Sequence, residues 1–248
     1  MRFPLRTMVV VLSVALMVNG CILERIFRVK RQLCDFEKNF QIETSEGFRV
    51  LLREPVMLDD DITWLAGAEP SEREYADREL VMIYIAVRSG TSVDGKYDLP
   101  VELRFVRMDR DYRLKEGCLG KNLAEVITVE LLTQLMQSVC RAEKSLAEQQ
   151  VIIDIKSLDR SLLPARSDIV HILGPPNPNT GDGNRLVYDY RLKNNDVVDQ
   201  VAAIDFQFDG RGEKILRLKM NYLRYHLDAD FETGKAILKV DIFNDEKT

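Results

Sequence analysis

The stretch that decides the fold is Leu163-Pro-Ala-Arg-Ser-Asp-Ile-Val-His-Ile-Leu-Gly-Pro-Pro176, continued by Leu186-Val-Tyr-Asp-Tyr-Arg191 and Ile204-Asp-Phe-Gln-Phe-Asp-Gly210. Ile169, Ile172 and Leu173 share one face of a short helix. Gly174 stops that helix, and Pro175 and Pro176 forbid its continuation. Asn177 to Asn184 is turn composition throughout. Leu186, Tyr188 and Tyr190 alternate, as do Ile204, Phe206 and Phe208, which predicts two antiparallel strands.

Much of this pattern has an earlier counterpart. Asp59-Asp-Asp-Ile-Thr-Trp-Leu-Ala-Gly-Ala-Glu-Pro70 places Ile62, Leu65, Ala66 and Gly67 at one constant offset from Ile169, Ile172, Leu173 and Gly174. Val101, Leu103 and Phe105 answer Ile204, Phe206 and Phe208. Self-similarity of this kind predicts a repeated unit. The expected fold class is therefore α+β: antiparallel sheets packed with helices, in two tandem helix-plus-strand units. The first spans 36–119 and the second 151–248. A long helix over 120–150 joins them, with Leu123, Ile127, Leu131, Leu135, Val139, Ala142 and Leu146 as its apolar stripe and Asn122 with Glu125 as a capping box.

The chain has 248 residues, 46% of them apolar, and a formal net charge of −5. Removing residues 1–20 takes away Arg2 and Arg6 and leaves −7. A nucleic-acid binder carries a basic face, and none is expected here. His171 and His226 are too few and too far apart for a metal site. No phosphate loop, Gly-x-Ser-x-Gly or zinc-protease signature occurs. Neither a cofactor nor a catalytic constellation is expected.

Arg2 and Arg6 precede an apolar run from Met8 to Val18. Its 11 residues fall short of the roughly 20 that span a bilayer and suit a secretory signal. Val18-Asn19-Gly20-Cys21 follows and resembles the bacterial lipobox. The resemblance implies a signal peptide over 1–20 and a lipid on Cys21. Ile22, which is not aspartate, implies the periplasmic face of the outer membrane. Residues 21–35 would then be a lipid-anchored tether. Leu23 to Leu33 is basic and partly apolar, so it suits lipid headgroups, a tether or a first helix packed on the body.

Three further cysteines remain. On one continuous helix, Cys140 lies about 27 Å from Asn122, while Cys118 reaches back at most about 14 Å. Those two cannot bond. Cys34 is then the partner of one of them, or all three stay thiols.

The second unit resembles the outer-membrane assembly lipoproteins of the BamE/SmpA type, in a helix ending Leu-Gly-x-Pro, a Tyr-x-Tyr strand and a strand ending Phe-Asp-x-x-Gly. Ile169, Leu173, Gly174, Pro176, Tyr188, Tyr190, Phe208, Asp209 and Gly212 carry the likeness. Two such units in tandem also resemble the β-lactamase inhibitor protein architecture. The resemblance implies a non-enzymatic, periplasm-facing lipoprotein that binds an envelope protein or aids envelope assembly. Trp64, Tyr75, Tyr188, Tyr190, Tyr222 and Tyr225 are the candidate contact residues, since aromatics dominate interface hot spots. The alternatives are a small-ligand or lipid binder and a hydrolase using Asp59 to Asp61. Those three carboxylates are first read as an N-cap and its first turn.

Overall fold

Period-two alternation outweighs helical spacing in this chain, and among the described residues strands outnumber helices. The computed structural model describes residues 22, 24–45, 47–90, 95–145, 149–178, 183–193 and 201–241. Helix α1 covers 24–34 and α2 Phe36–Asn39. Then come β1 (Phe40–Glu43), β2 (Phe48–Leu52), α3 (Asp59–Ala66), β3 (Glu72–Ala76), β4 (Glu79–Arg88), β5 (Leu99–Met108) and β6 (Asp111–Leu119). Two helices follow, α4 (Lys121–Ala124) and α5 (Val129–Cys140), then β7 (Glu143–Ser145) and β8 (Gln150–Asp154). The last part holds α6 (Arg166–Leu173), β9 (Arg185–Leu192), β10 (Val201–Phe208), β11 (Ile215–Tyr222), β12 (Tyr225–Asp230) and β13 (Lys235–Val240).

All thirteen strands belong to one antiparallel sheet, ordered β1-β2-β6-β5-β4-β9-β10-β11-β12-β13-β8-β7, with β3 paired to β4 beside that path. This overturns the expected pair of helix-plus-strand units. The physical reason is the outer edge of β4. Glu79–Ile83 pairs there with β3, but Ala86, Val87 and Arg88 pair with Leu192, Arg191 and Tyr190 of β9. An open strand edge is a template for pairing, and each half of the chain closes the edge of the other.

The long joining helix is also corrected. The chain is helical over α4, breaks, and starts again at α5, where the Thr128 hydroxyl accepts the Leu131 N–H at 3.0 Å. After Arg141 it turns into β7 and pairs with β8. The apolar spacing crosses the break because side chains on both sides of it, Leu123 and Leu135, pack on the same core. Phe36, Phe40 and Ile42 alternate loosely as a strand would, but the segment is α2 followed by β1.

Both short helices that were read from sequence are present. α3 and α6 begin alike: Asp61 accepts the Leu58 N–H and Asp168 accepts the Ala165 N–H, each at 2.9 Å. The acidic residue therefore caps from the first turn, and Leu58 stands at the N-cap position in place of an aspartate. Gly67 closes α3 at φ +67°, a backbone few other residues adopt.

Three buried clusters support the sheet. The largest gathers Ile169, Ile172 and Leu173 of α6 against Leu186, Tyr188, Tyr190 and Phe206. A second packs Leu80, Met82, Tyr84 and Phe105 against Ile62 and Ala66 of α3. The third joins Phe36, Phe40 and Leu52 to Leu132 and Met136 of α5. The sheet also curves back on itself. Arg224 Nη2, from the β11–β12 turn, donates to the Trp64 carbonyl, and the Tyr225 hydroxyl, at the start of β12, to the Leu65 carbonyl of α3, each at 2.5 Å.

Candidate functional site

The curvature forms a half-open cavity of about 480 Å³. Its walls come from opposite ends of the strand order. Leu52 of β2 and Leu114 of β6 face it from one end; Val151, Ile153 and Leu238, of β8 and β13, face it from the other. Ile26, Val29 and Leu33 of α1 form one side, Ile62 and Leu65 of α3 another, and Val139 with Ala142 closes the end of α5. The spacing 26, 29, 33 puts these α1 residues on one helical stripe. Ligand sites in proteins are commonly about 300–1,000 Å³ and mostly apolar, so both size and lining fit an apolar guest.

The segment expected as a tether is thus a wall of the cavity. Three attachments hold it. Cys34 is disulfide-bonded to Cys140, with Cα atoms 4.9 Å apart. Lys30 Nζ donates to the Ala142 carbonyl at 2.9 Å. Arg25 grips Asp61 with two hydrogen bonds, at 2.5 and 2.6 Å. Asp61 is only 3% exposed. Its carboxylate is therefore spent on a buried ion pair and a helix cap. Asp59 is held above its ordinary value by burial and by Asp60 beside it. The three aspartates form a structural start to α3 and do not converge on a pocket.

Two lysines mark the cavity's polar rim. Lys30 and Lys144 both line it, and Lys144 Nζ sits 4.1 Å from the centre of the half-exposed Phe27 ring. Among the described residues, neither ammonium is paired with a carboxylate.

The candidate contact aromatics divide. Trp64 is 52% and Tyr75 61% exposed. Arg73 Nη2 bonds the Thr63 hydroxyl at 3.3 Å and so ties Tyr75's strand to Trp64's helix. Tyr188 and Tyr190 are fully buried, and burial pushes the Tyr188 phenol up to about 12. They are core, not contact surface, because the α6 side of the sheet closes over them. Tyr222 is half-buried, its phenol also pushed up to about 12 by burial. Tyr225 is committed to the Leu65 carbonyl. Cys21, the candidate lipid carrier, and the signal segment 1–20 lie outside the described residues.

Sequence reasoning missed the cavity. Its described residues stand in nine separate elements, and each one alone reads as ordinary core. The one usable signal was the mixture in 23–33, where an apolar stripe and basic residues coexist. No family model, no curated protein and no solved structure matches the chain.

Proposed function

We propose that this chain is a lipid-anchored lipoprotein facing the periplasm from the outer membrane, without a catalytic role, whose body holds an aliphatic chain in the cavity behind α1. The observation that carries the reading is the cavity itself: a space of ligand size, walled by aliphatic side chains from α1, α3, α5 and both ends of the sheet. An apolar lining of that extent is costly to leave against water, and an aliphatic chain covers it. The anchor rests on Met8 to Val18 and on Cys21. Lipidation there would set the mouth of the cavity within a few residues of the bilayer surface.

The test has two parts. Cys21→Ser should move the protein from the membrane to the soluble fraction. The wild-type chain, purified from envelopes and then denatured and solvent-extracted, should release an aliphatic compound on mass spectrometry. Leu114→Trp, which fills the cavity, should abolish that release without moving the protein off the membrane. A wild-type extract no richer than that of Leu114→Trp would sink the reading.

A second reading, a protein-binding adaptor, is favoured by the exposed pair Trp64 and Tyr75. It calls for crosslinking from intact envelopes. Trp64→Ala should lose a specific adduct that the wild-type chain forms.

A further inference from the structure

The cavity is apolar everywhere except at one rim, and the exception has one sign. Among the described residues, Lys30 and Lys144 are the two charged side chains that line it. They are held there by packing. Lys30 reaches the Ala142 carbonyl, and Lys144 lies over the Phe27 ring. Among the described residues the two ammonium groups have no carboxylate partner, and like charges on one rim repel. Burial and the nearness of Lys30 hold Lys144 below its usual value. Both effects are relieved if a negative group sits between the two. A guest that fills an aliphatic cavity and also brings that group is an anionic amphiphile with a single acyl chain.

Resting on the reading of this cavity as an aliphatic-chain site, we infer that its ligand is a fatty-acid-like molecule, the chain inside and the carboxylate between Lys30 and Lys144. The polar end then stays near water at the α1–β7 rim. The chain runs toward Leu114 and Leu238, where the two ends of the sheet approach. Neutral amphiphiles of the same length fill the same walls but leave the lysines uncompensated, so they bind less well.

The experiment uses the full lipid-anchored chain in membranes, with two probes of equal length: a photoreactive palmitate and a photoreactive hexadecanol. After irradiation, adducts are located by peptide mass mapping. The palmitate should label the peptides carrying Leu114 and Leu238 about tenfold more than the alcohol, equivalent to about 1.4 kcal/mol. Lys30→Gln combined with Lys144→Gln should reduce palmitate labelling to the level of the alcohol and leave alcohol labelling unchanged. The corresponding double change to Arg should retain the preference. Equal labelling by both probes in the wild-type chain would overturn the anionic assignment and leave the aliphatic site standing. Labelling of cavity peptides by neither probe would overturn the site itself. A Gln double variant that keeps the palmitate preference would also defeat the assignment.

Discussion

Cys34, at the end of α1, is bonded to Cys140, at the end of α5, across 106 residues of chain. The bond joins a helix packed near β1 and β2 to one that leads into β7, so it links the two ends of the strand order. A crosslink across a loop this long removes much unfolded-state entropy. Native disulfides typically contribute about 2–4 kcal/mol. Replacing both cysteines with Ala should lower the unfolding free energy by about that amount in urea titrations. Reductant should reproduce the loss in the wild-type chain and change nothing in the variant. α1 should also gain hydrogen exchange before the central strands do.

The Arg25–Asp61 pair makes a different prediction. Asp61 is buried, with its two oxygens shared between Arg25 and the Leu58 N–H. Removing one partner of a buried pair leaves an uncompensated charge and costs about 3–5 kcal/mol. Arg25→Ala should therefore destabilise the fold by about 3 kcal/mol, less if water reaches Asp61 through the gap. The double change Arg25→Ala with Asp61→Asn should recover part of the loss, since an amide accepts the Leu58 N–H without burying a charge. Equal stabilities for the single and double variants, measured by denaturant unfolding, would count against the coupling.

Arg88 supports the seam between the halves. Its side chain is buried, 4.9 Å from the centre of the Tyr188 ring and 5.5 Å from that of Tyr190. Nη1 donates to the Asp189 carbonyl at 2.9 Å and Nη2 to Asn177 Oδ1 at 2.8 Å, with the Pro175 and Ser89 carbonyls completing the set. Beside it the Ser71 hydroxyl donates to the Lys193 carbonyl and accepts the Ile85 N–H, so a second side chain crosses from β4 to the end of β9. Hydrogen bonds to a charged group contribute about 1.5–3 kcal/mol. Arg88→Ala should cost about 3 kcal/mol and expose the amides of β9 to exchange. Arg88→Lys should restore little, because a single ammonium cannot serve four acceptors in a plane and stack on two rings.

Arg88 also shows what a sequence can reveal of such a fold. The alternating runs are legible where one face is buried: Leu80, Met82 and Tyr84 in β4, and Leu186, Tyr188 and Tyr190 in β9. The glycine stops of α3 and α6 are legible because terminal glycines follow local rules, whereas Leu58 and Ala165 at the N-caps are not, since Asp61 and Asp168 cap from the first turn. β3 and β6 are not legible. Every residue of β3 is exposed, so no apolar period exists to read. In β6, Lys115 donates to the Leu52 carbonyl and Glu116 meets Arg49, so charged residues occupy a well-paired strand. Arg88 itself is a single charged residue just past the apolar run Leu80 to Val87. Nothing local says that β9 will pair there over just three registered positions. The cavity is hidden for the same reason, since Leu52 and Leu238 become neighbours only when the whole sheet has curved.

The last prediction concerns the cysteine left free among the described residues. Cys118 stands two residues after Glu116 on β6, and its thiol donates to Glu116 Oε1 at 3.0 Å. Burial, then the Glu116 carboxylate, pushes that thiol up to about 11, from an ordinary 9.0. Two pH units reduce the thiolate at neutral pH about a hundredfold, and the thiolate is the reactive form. Iodoacetamide should accordingly modify Cys118 far more slowly than an exposed thiol in the folded protein. Glu116→Gln should speed the reaction severalfold without reaching the unfolded rate, since burial persists. The carboxyl behaves in the opposite sense. Burial alone would raise Glu116, but the Cys118 thiol and Arg49 outweigh it and hold the group below its ordinary value. A depressed carboxyl adds stability above its unfolded value and loses it as pH falls through the folded one. The stability gap between wild type and Glu116→Gln should therefore be full at neutral pH and shrink on acidification through the carboxylate range. A gap that stays constant over that range, in paired urea titrations, would mean that Arg49 and Cys118 do not stabilise the charged form.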